Sequence, residues 1–182
     1  MNWKRANGGS VNEPIIEYLE KLFDEEIATN KRLKVAVGTD SQKSGNGYKF
    51  ATVILIMTEE SLGFDKDGTE IIKGRGGIVI YTTFWEEMKA GTKAKRHREI
   101  EVLNQRMILE VSKSIEVAYE ISPLLDLYGI KLEIHADINP DPSKGLSNCA
   151  LNEAVGYILG MGYDFKVKPD AHAASNAADA LC

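Results

Sequence analysis

The hydrophobic pattern of the chain changes period near residue 94, after three strand-like runs, and that change restricts the possible folds more than any other feature. Before it, three short β-branched runs follow one another. Leu33 to Asp40 (LKVAVGTD) ends at a polar break. Tyr48 to Thr58 (YKFATVILIMT) follows the turn signal Gly45-Asn46-Gly47. Ile78 to Thr82 (IVIYT) comes after a long connection at 59–75 that is rich in glycine and charge. Such runs bounded by Gly, Asn and Asp predict strands, and their hairpin-like joins predict an antiparallel meander. After the change, Ile100, Leu103, Met107, Val111, Ser114, Ala118 and Ile121 recur at three and four, which predicts one long helix over about 94–122. Pro123 is expected to break or end it. A strand at Ile130–Ala136, a helix at Leu146–Met161, a short strand at Tyr163–Lys168 and a last helix over 171–181 complete the alternation.

Strands in a meander followed by alternating helix and strand predict an α/β domain. Its sheet should be mixed and five-stranded, antiparallel at first and then parallel through right-handed crossovers. Ahead of the sheet, Asn12 is placed to cap a helix with Pro14 in its first turn. Ile15, Ile16, Leu19, Leu22 and Phe23 recur at helical spacing over 13–29. Residues 1–12 read as a flexible leader, and 13–182 as a single domain whose core begins at about 33. A length of 182 residues agrees with one domain at about 150 residues per domain.

Hydrophobic residues make up 43% of the chain and charged residues 27%, which excludes disorder and a collagen-like repeat. Two cysteines, Cys149 and Cys182, give no disulfide framework and no metal-ligand spacing, so reduced thiols in a cytoplasmic protein are expected. No apolar run reaches the roughly 18 residues of a membrane span, so no membrane partner is expected. With 22 basic and 27 acidic residues the net charge is −5, so the chain is not a basic clamp for nucleic acid over its whole surface. Lys93, Lys95, Arg96, His97 and Arg98 form the densest basic cluster, at the start of the long helix. Cations there oppose the helix dipole, which points to a use elsewhere, such as phosphate contact by Lys93, Lys95, Arg96 and Arg98.

Open α/β sheets bind ligands at the carboxyl ends of their strands. An acidic residue stands there each time: Asp40 after the first strand, Asp137 after the fourth, and Asp170 after the fifth, with Asp179 further down the last helix. Adjacent parallel strands would bring Asp40 and Asp137 together. Two close carboxylates repel unless a cation compensates, and Mg²⁺ or Mn²⁺ with oxygen ligands is the natural compensation. His172, Asn176 and Asp179 stand at i, i+4 and i+7, on one face of a helix otherwise built of alanine. His172 is the candidate for proton transfer. Asp170 after Pro169 also suits an N-cap. His135, on the side of Glu133 and Asp137, reads as a hydrogen-bonded core histidine. Asp65-Lys66-Asp67-Gly68 reads as a hairpin turn. Ser41 and Ser175 lack a base with an orienting partner, which argues against a serine hydrolase.

The stretches VGTDSQ (37–42), LEVSKSIEVAYEISPLLDLYGI (109–130), HADIN (135–139) and GYILGMGYDFKVKPDAHAAS (156–175) resemble the YkuK-type bacterial family, which is assigned to the ribonuclease H-like fold. That fold is shared by RNases H, RuvC-type resolvases and transposases. The resemblance implies a ribonuclease H-like sheet, with Asp40 and Asp137 matching the aspartates of the first and fourth strands. It leaves two candidates for the last acidic position. Asp170 matches an aspartate at the start of the final helix. Asp179, in NAADAL, resembles the resolvase ending in which two aspartates stand three apart, with Asn176 here in place of the first. The catalytic glutamate that the fold takes from its long helix has three candidates, Glu99, Glu101 and Glu110. The implied activity is that of a metal-dependent nuclease or related phosphodiester-cleaving enzyme. Asp40, Asp137 and Asp179 would be its metal ligands, Mg²⁺ or Mn²⁺ its cofactor and nucleic acid its partner. The alternative is a non-catalytic nucleic-acid-binding or regulatory module that keeps the fold around a degenerate acidic site.

Overall fold

The computed structural model describes residues 1–29, 31–88, 95–136, 156, 158–160, 162–166 and 171–182, with the backbone alone at 95, 96, 98 and 172–175. The elements run β1 (Lys4–Arg5), α1 (Ile15–Ala28), β2 (Arg32–Ser44), β3 (Gly47–Phe64), β4 (Glu70–Glu86), α2 (Lys95–Tyr128), β5 (Lys131–His135), β6 (Asp164–Lys166) and α3 (His172–Asp179). They build one mixed sheet in the order β1-β4-β3-β2-β5-β6. The meander β2–β3–β4 is antiparallel, while β5 pairs parallel to β2 and β6 parallel to β5. The predicted mixed α/β sheet is therefore present, with β2 central between the meander and the parallel half.

The sheet has six strands rather than five. The sixth comes from the segment read as a leader. Lys4 and Arg5 pair with Tyr81 and Ile80 of β4, and Trp3 is buried at 5% exposure in the main core. A bridge from Lys4 to Ser10 and a bond from Val11 N to Trp3 O fold this segment back on itself. One large aromatic supplies enough apolar area to hold a polar stretch that has no periodicity of its own.

Three further expectations shift. Asn12 does not cap α1, which begins at Ile15 with Pro14 as N-cap and no side-chain cap bond. The stretch 59–75 is mostly strand. β3 and β4 continue past the end of β2 as a two-stranded arm that turns at 65–69, where Asp65 Oδ1 accepts from the backbone N–H groups of Asp67 and Thr69. Pro123 lies inside α2 rather than ending it. Proline has no N–H to give to the carbonyl of Tyr119, but both residues are exposed, so water can serve that carbonyl. Leu124 and Leu125 then pack into the core and hold the last turn in place. The helix stops at Gly129 (φ 63°), where Gly129 N–H bonds Asp126 O and Ile130 N–H bonds Leu125 O. Only a residue at ease with positive φ closes a helix this way.

Side chains along β2 alternate between the two faces of the sheet. Val35 and Val37 enter the core beneath α1 and the second half of α2, with Leu19, Phe23, Ile54, Ile56, Ile121 and Leu125. Met107, Val111, Ile115 and Ala118 of α2 continue that layer over Ile134 of β5. Ala36 faces the other way, into a smaller cluster with Val53, Leu55 and Ala178 of α3. Odd-numbered residues of β2 thus face α2 and even-numbered residues face α3. Among the described residues, no helix is long and apolar enough to cross a membrane.

Candidate active site

Strand parity decides where Asp40 points. It lies on the α3 face near the carboxyl end of β2, and only 8% of its surface is exposed. Gln42, two residues on, shares that face. Its amide Nε2 donates to Asp179 Oδ1 at 2.7 Å and to the backbone oxygen of Asp179 at 3.1 Å. This bond docks the end of α3 beside the end of β2. Lys49 of β3 donates to the backbone oxygen of Leu181 at 2.9 Å, and the Cys182 thiol donates to the backbone oxygen of Asp40 at 3.1 Å. Small residues make the close approach possible, because Ala171 and Ala178 of this segment are fully buried. Asp179 itself is exposed, as is Asn176.

The opposite face at the same end carries a polar network. Ser41 Oγ donates to Glu110 Oε1 at 2.5 Å and accepts from Arg106 Nε at 2.9 Å. Arg106 also donates to the backbone oxygen of Ser41 at 2.6 Å, and its guanidinium lies 4.4 Å from the Tyr48 ring centroid. One residue back, the Thr39 hydroxyl meets Thr52 at 3.0 Å and accepts from Ser114 at 2.9 Å. The hydroxyls sit between sheet and helix where each finds a partner, as burial requires.

Charge converges on Cys182 from both groups. Burial first, then the negative charge of Asp40, pushes its thiol up to about 11, and Glu110 adds to the effect. The thiol therefore stays protonated near neutrality and does not compete as a soft ligand. The carboxylates of Asp40 and Asp179 are hard oxygen donors, which suit Mg²⁺ or Mn²⁺. Among the described residues, no three His, Cys, Asp or Glu side chains stand close enough to hold a metal ion.

One step toward the amino end of the parallel pair, Glu133 and His135 of β5 face the same side as Ala36 and Gly38, with which they pair. His135 Nε2 lies 3.1 Å from Glu133 Oε2, and Lys34 Nζ lies 2.9 Å from Glu133 Oε1. Burial pushes the His135 imidazole below its usual range, against the pull of Glu133. Burial also raises the Glu133 carboxyl, but the hydrogen bonds from His135 and Lys34 outweigh it and leave the group lowered. A neutral imidazole beside an ionised carboxylate must carry its proton on Nε2. His135 is thus the hydrogen-bonded core histidine that its neighbours suggested.

The other candidates are distributed as follows. Asp137, Asp170 and Lys93 lie outside the described residues. His172 begins α3, and Lys95, Arg96 and Arg98 lie in the first turn of α2, with their side chains outside the described set. Glu99 is exposed and Glu101 half-buried. Glu110 has its carboxylate bonded to Ser41 of β2 at this end of the sheet. Sequence reasoning passed over Gln42 and Arg106, and weighed Ser41 only as a nucleophile. Strand parity with Asp40 is a signal for Gln42. Nothing local marks Arg106 as the partner of a residue 65 positions away.

A family model described as Ribonuclease H-like matches residues 71–182, from β4 to the end of α3 and beyond. No curated protein and no solved structure matches the chain.

Proposed function

Because the chain belongs to the ribonuclease H-like family, we propose that it is a metal-dependent nuclease or related phosphodiester-cleaving enzyme centred on Asp40. The carrying observation is the register of the parallel pair. Lys34 pairs with Lys131 and Gly38 with His135, a constant offset, and the same offset carried two residues on would set Asp137 opposite Asp40. Asp40 and Asp137 would hold Mg²⁺ or Mn²⁺, with Asp179 as a further ligand and Asp170 as its rival for that place. When bound, such a cation lowers the pKa of its water and stabilises the leaving oxygen of an in-line displacement. The chain's own residues would do the rest. Gln42 orients the Asp179 carboxylate through its 2.7 Å bond. His172 moves a proton. Lys93, Lys95, Arg96 and Arg98 draw the phosphate backbone toward an otherwise acidic molecule.

The test is cleavage of single strands, hybrids and junctions with Mn²⁺, by the parent protein and by Asp40→Asn. Asparagine keeps the size and removes the charge that holds the cation. Nicking by the parent and its loss in the variant support the reading. A second reading, a non-catalytic binding or regulatory module, draws on the engagement of Glu110 with Ser41 and Arg106. A glutamate used to hold α2 on β2 is less available to a metal. Binding of nucleic acid without Mn²⁺ uptake and without nicking favours that module.

A further inference from the structure

We infer that Trp85 is a stacking platform for an unpaired base, so that the strand reaching Asp40 is single-stranded nucleic acid; this rests on the nuclease reading above and adds its substrate class. Trp85 lies on the same sheet face as Asp40. Asp40 pairs with Ala51, which pairs with Thr83. In the next row Gln42 pairs with Lys49, which pairs with Trp85. Two strand spacings and two residues of rise put the Trp85 backbone about 12 Å from that of Asp40, a span of a few nucleotides.

The ring is held but uncovered. Its Nε1–H donates to the backbone oxygen of Ser44 at 3.1 Å. It lies so close over Gly47 that a Cβ there would meet Cζ2 of the ring and the backbone oxygen of Glu86. A tryptophan pinned in this way loses little further freedom on stacking. It nevertheless keeps 47% of its surface exposed, the greatest exposure of any tryptophan in the chain, since Trp3 is buried at 5%. Two other aromatics at this end already have cations at their faces, Tyr48 with Arg106 at 4.4 Å and Phe84 with Lys113 at 5.7 Å. Across the strand from Trp85 stands Lys49, whose ammonium gives one of its three donors to the backbone oxygen of Leu181 and still carries positive charge beside the ring. By alternation Glu86 projects to the opposite face. A base inside a duplex has both faces covered by its neighbours, so away from a duplex end only an unpaired or splayed base can use such a ring.

The chain has two tryptophans, and the buried one serves as an internal reference. The whole protein, without metal and at low salt, is titrated with a twelve-nucleotide oligothymidylate and, at equal nucleotide concentration, with a long mixed-sequence duplex whose ends are few, and tryptophan emission is followed. Quenching by the single strand but not by the duplex is expected. Trp85→Ala should weaken single-strand binding roughly five- to 150-fold, the range of base–aromatic stacking, while Trp85→Phe keeps most of it. Binding of the strand with unchanged emission and with full affinity in Trp85→Ala overturns the platform and leaves the nuclease reading intact. Equal quenching by the duplex overturns the preference for unpaired bases. If neither nucleic acid binds, the platform and the nucleic-acid reading beneath it both fall. The emission titration needs no variant, so a Trp85→Ala protein that fails to fold does not remove the test.

Discussion

Asp40 is only 8% exposed, the Gln42–Asp179 bond brings a second carboxylate to its side of the sheet, and its charge acts on the Cys182 thiol. If Asp137 stands opposite Asp40 as proposed, Asp40→Asn in the apo protein should leave the melting temperature unchanged or slightly higher, because one of two like charges is removed. A clear loss of apo stability would mark a structural aspartate instead. The thiol of Cys182 reports the same charge by a different route. In a Cys149→Ser background, alkylation of Cys182 should stay slow at pH 8 to 9 and rise toward its plateau only as pH passes about 11. Asp40→Asn should shift that profile toward lower pH, because removal of a nearby negative charge favours the thiolate. An unshifted profile would mean that Asp40 and Cys182 are farther apart than the 3.1 Å bond between the thiol and the Asp40 carbonyl implies.

At the scale of elements, α2 and β5 carry the most testable features. Gly129 closes α2 at φ 63°, a region in which a Cβ is crowded by the following carbonyl. Gly129→Ala should cost about 1–2 kcal/mol, measured as a drop in the denaturation midpoint at constant slope. No neighbouring atom lies within 4 Å of a Cβ built there, so the loss would come from the backbone and not from a clash. In β5 the His135–Glu133 pair sets a pH dependence. Both groups bind protons less readily folded than unfolded, His135 because of burial and Glu133 because its hydrogen bonds outweigh burial. The unfolded chain therefore takes up more protons as pH falls. The stability they contribute is full above about 6.5 and is lost as pH drops through the folded pKa of each group. Melts from pH 7.5 down to 5 should show a steady decline, and His135→Asn should flatten its upper part. A flat parent profile would show that the imidazole titrates normally.

At the scale of the whole molecule, the first residues belong to the domain. Trp3 lies in the same core as Phe23, Ile54 and Leu125, so Trp3→Ala should cost about 3–5 kcal/mol, the usual loss for a buried tryptophan. A change near zero, read from chemical denaturation, would return residues 1–12 to the status of a leader. Burial on both sheet faces also explains why the sheet can be central and mixed. β2 packs α1 and α2 on one side and α3 on the other, and it alone bonds both the meander and the parallel half.

Much of this was legible along the chain. The period change near 94 marks where the meander gives way to crossovers, because a two-residue repeat and a 3.6-residue repeat bury different surfaces. The Gly45–Gly47 turn, the stripe from Met107 to Ile121 and the acidic ends of the strands are all local signals. Local chemistry sets them before any tertiary contact forms. Tertiary structure decided the remainder. Pro123 stays helical because Leu124 and Leu125 have a core to enter. Trp3 draws a polar segment into the sheet for the same reason. Ser41, Arg106 and Glu110 form one network across 65 or more positions, and Gln42 finds Asp179 across 137. Pattern along a chain reports which face a side chain takes. Which distant side chain it meets is determined by how the faces pack, and that is a property of the folded molecule alone.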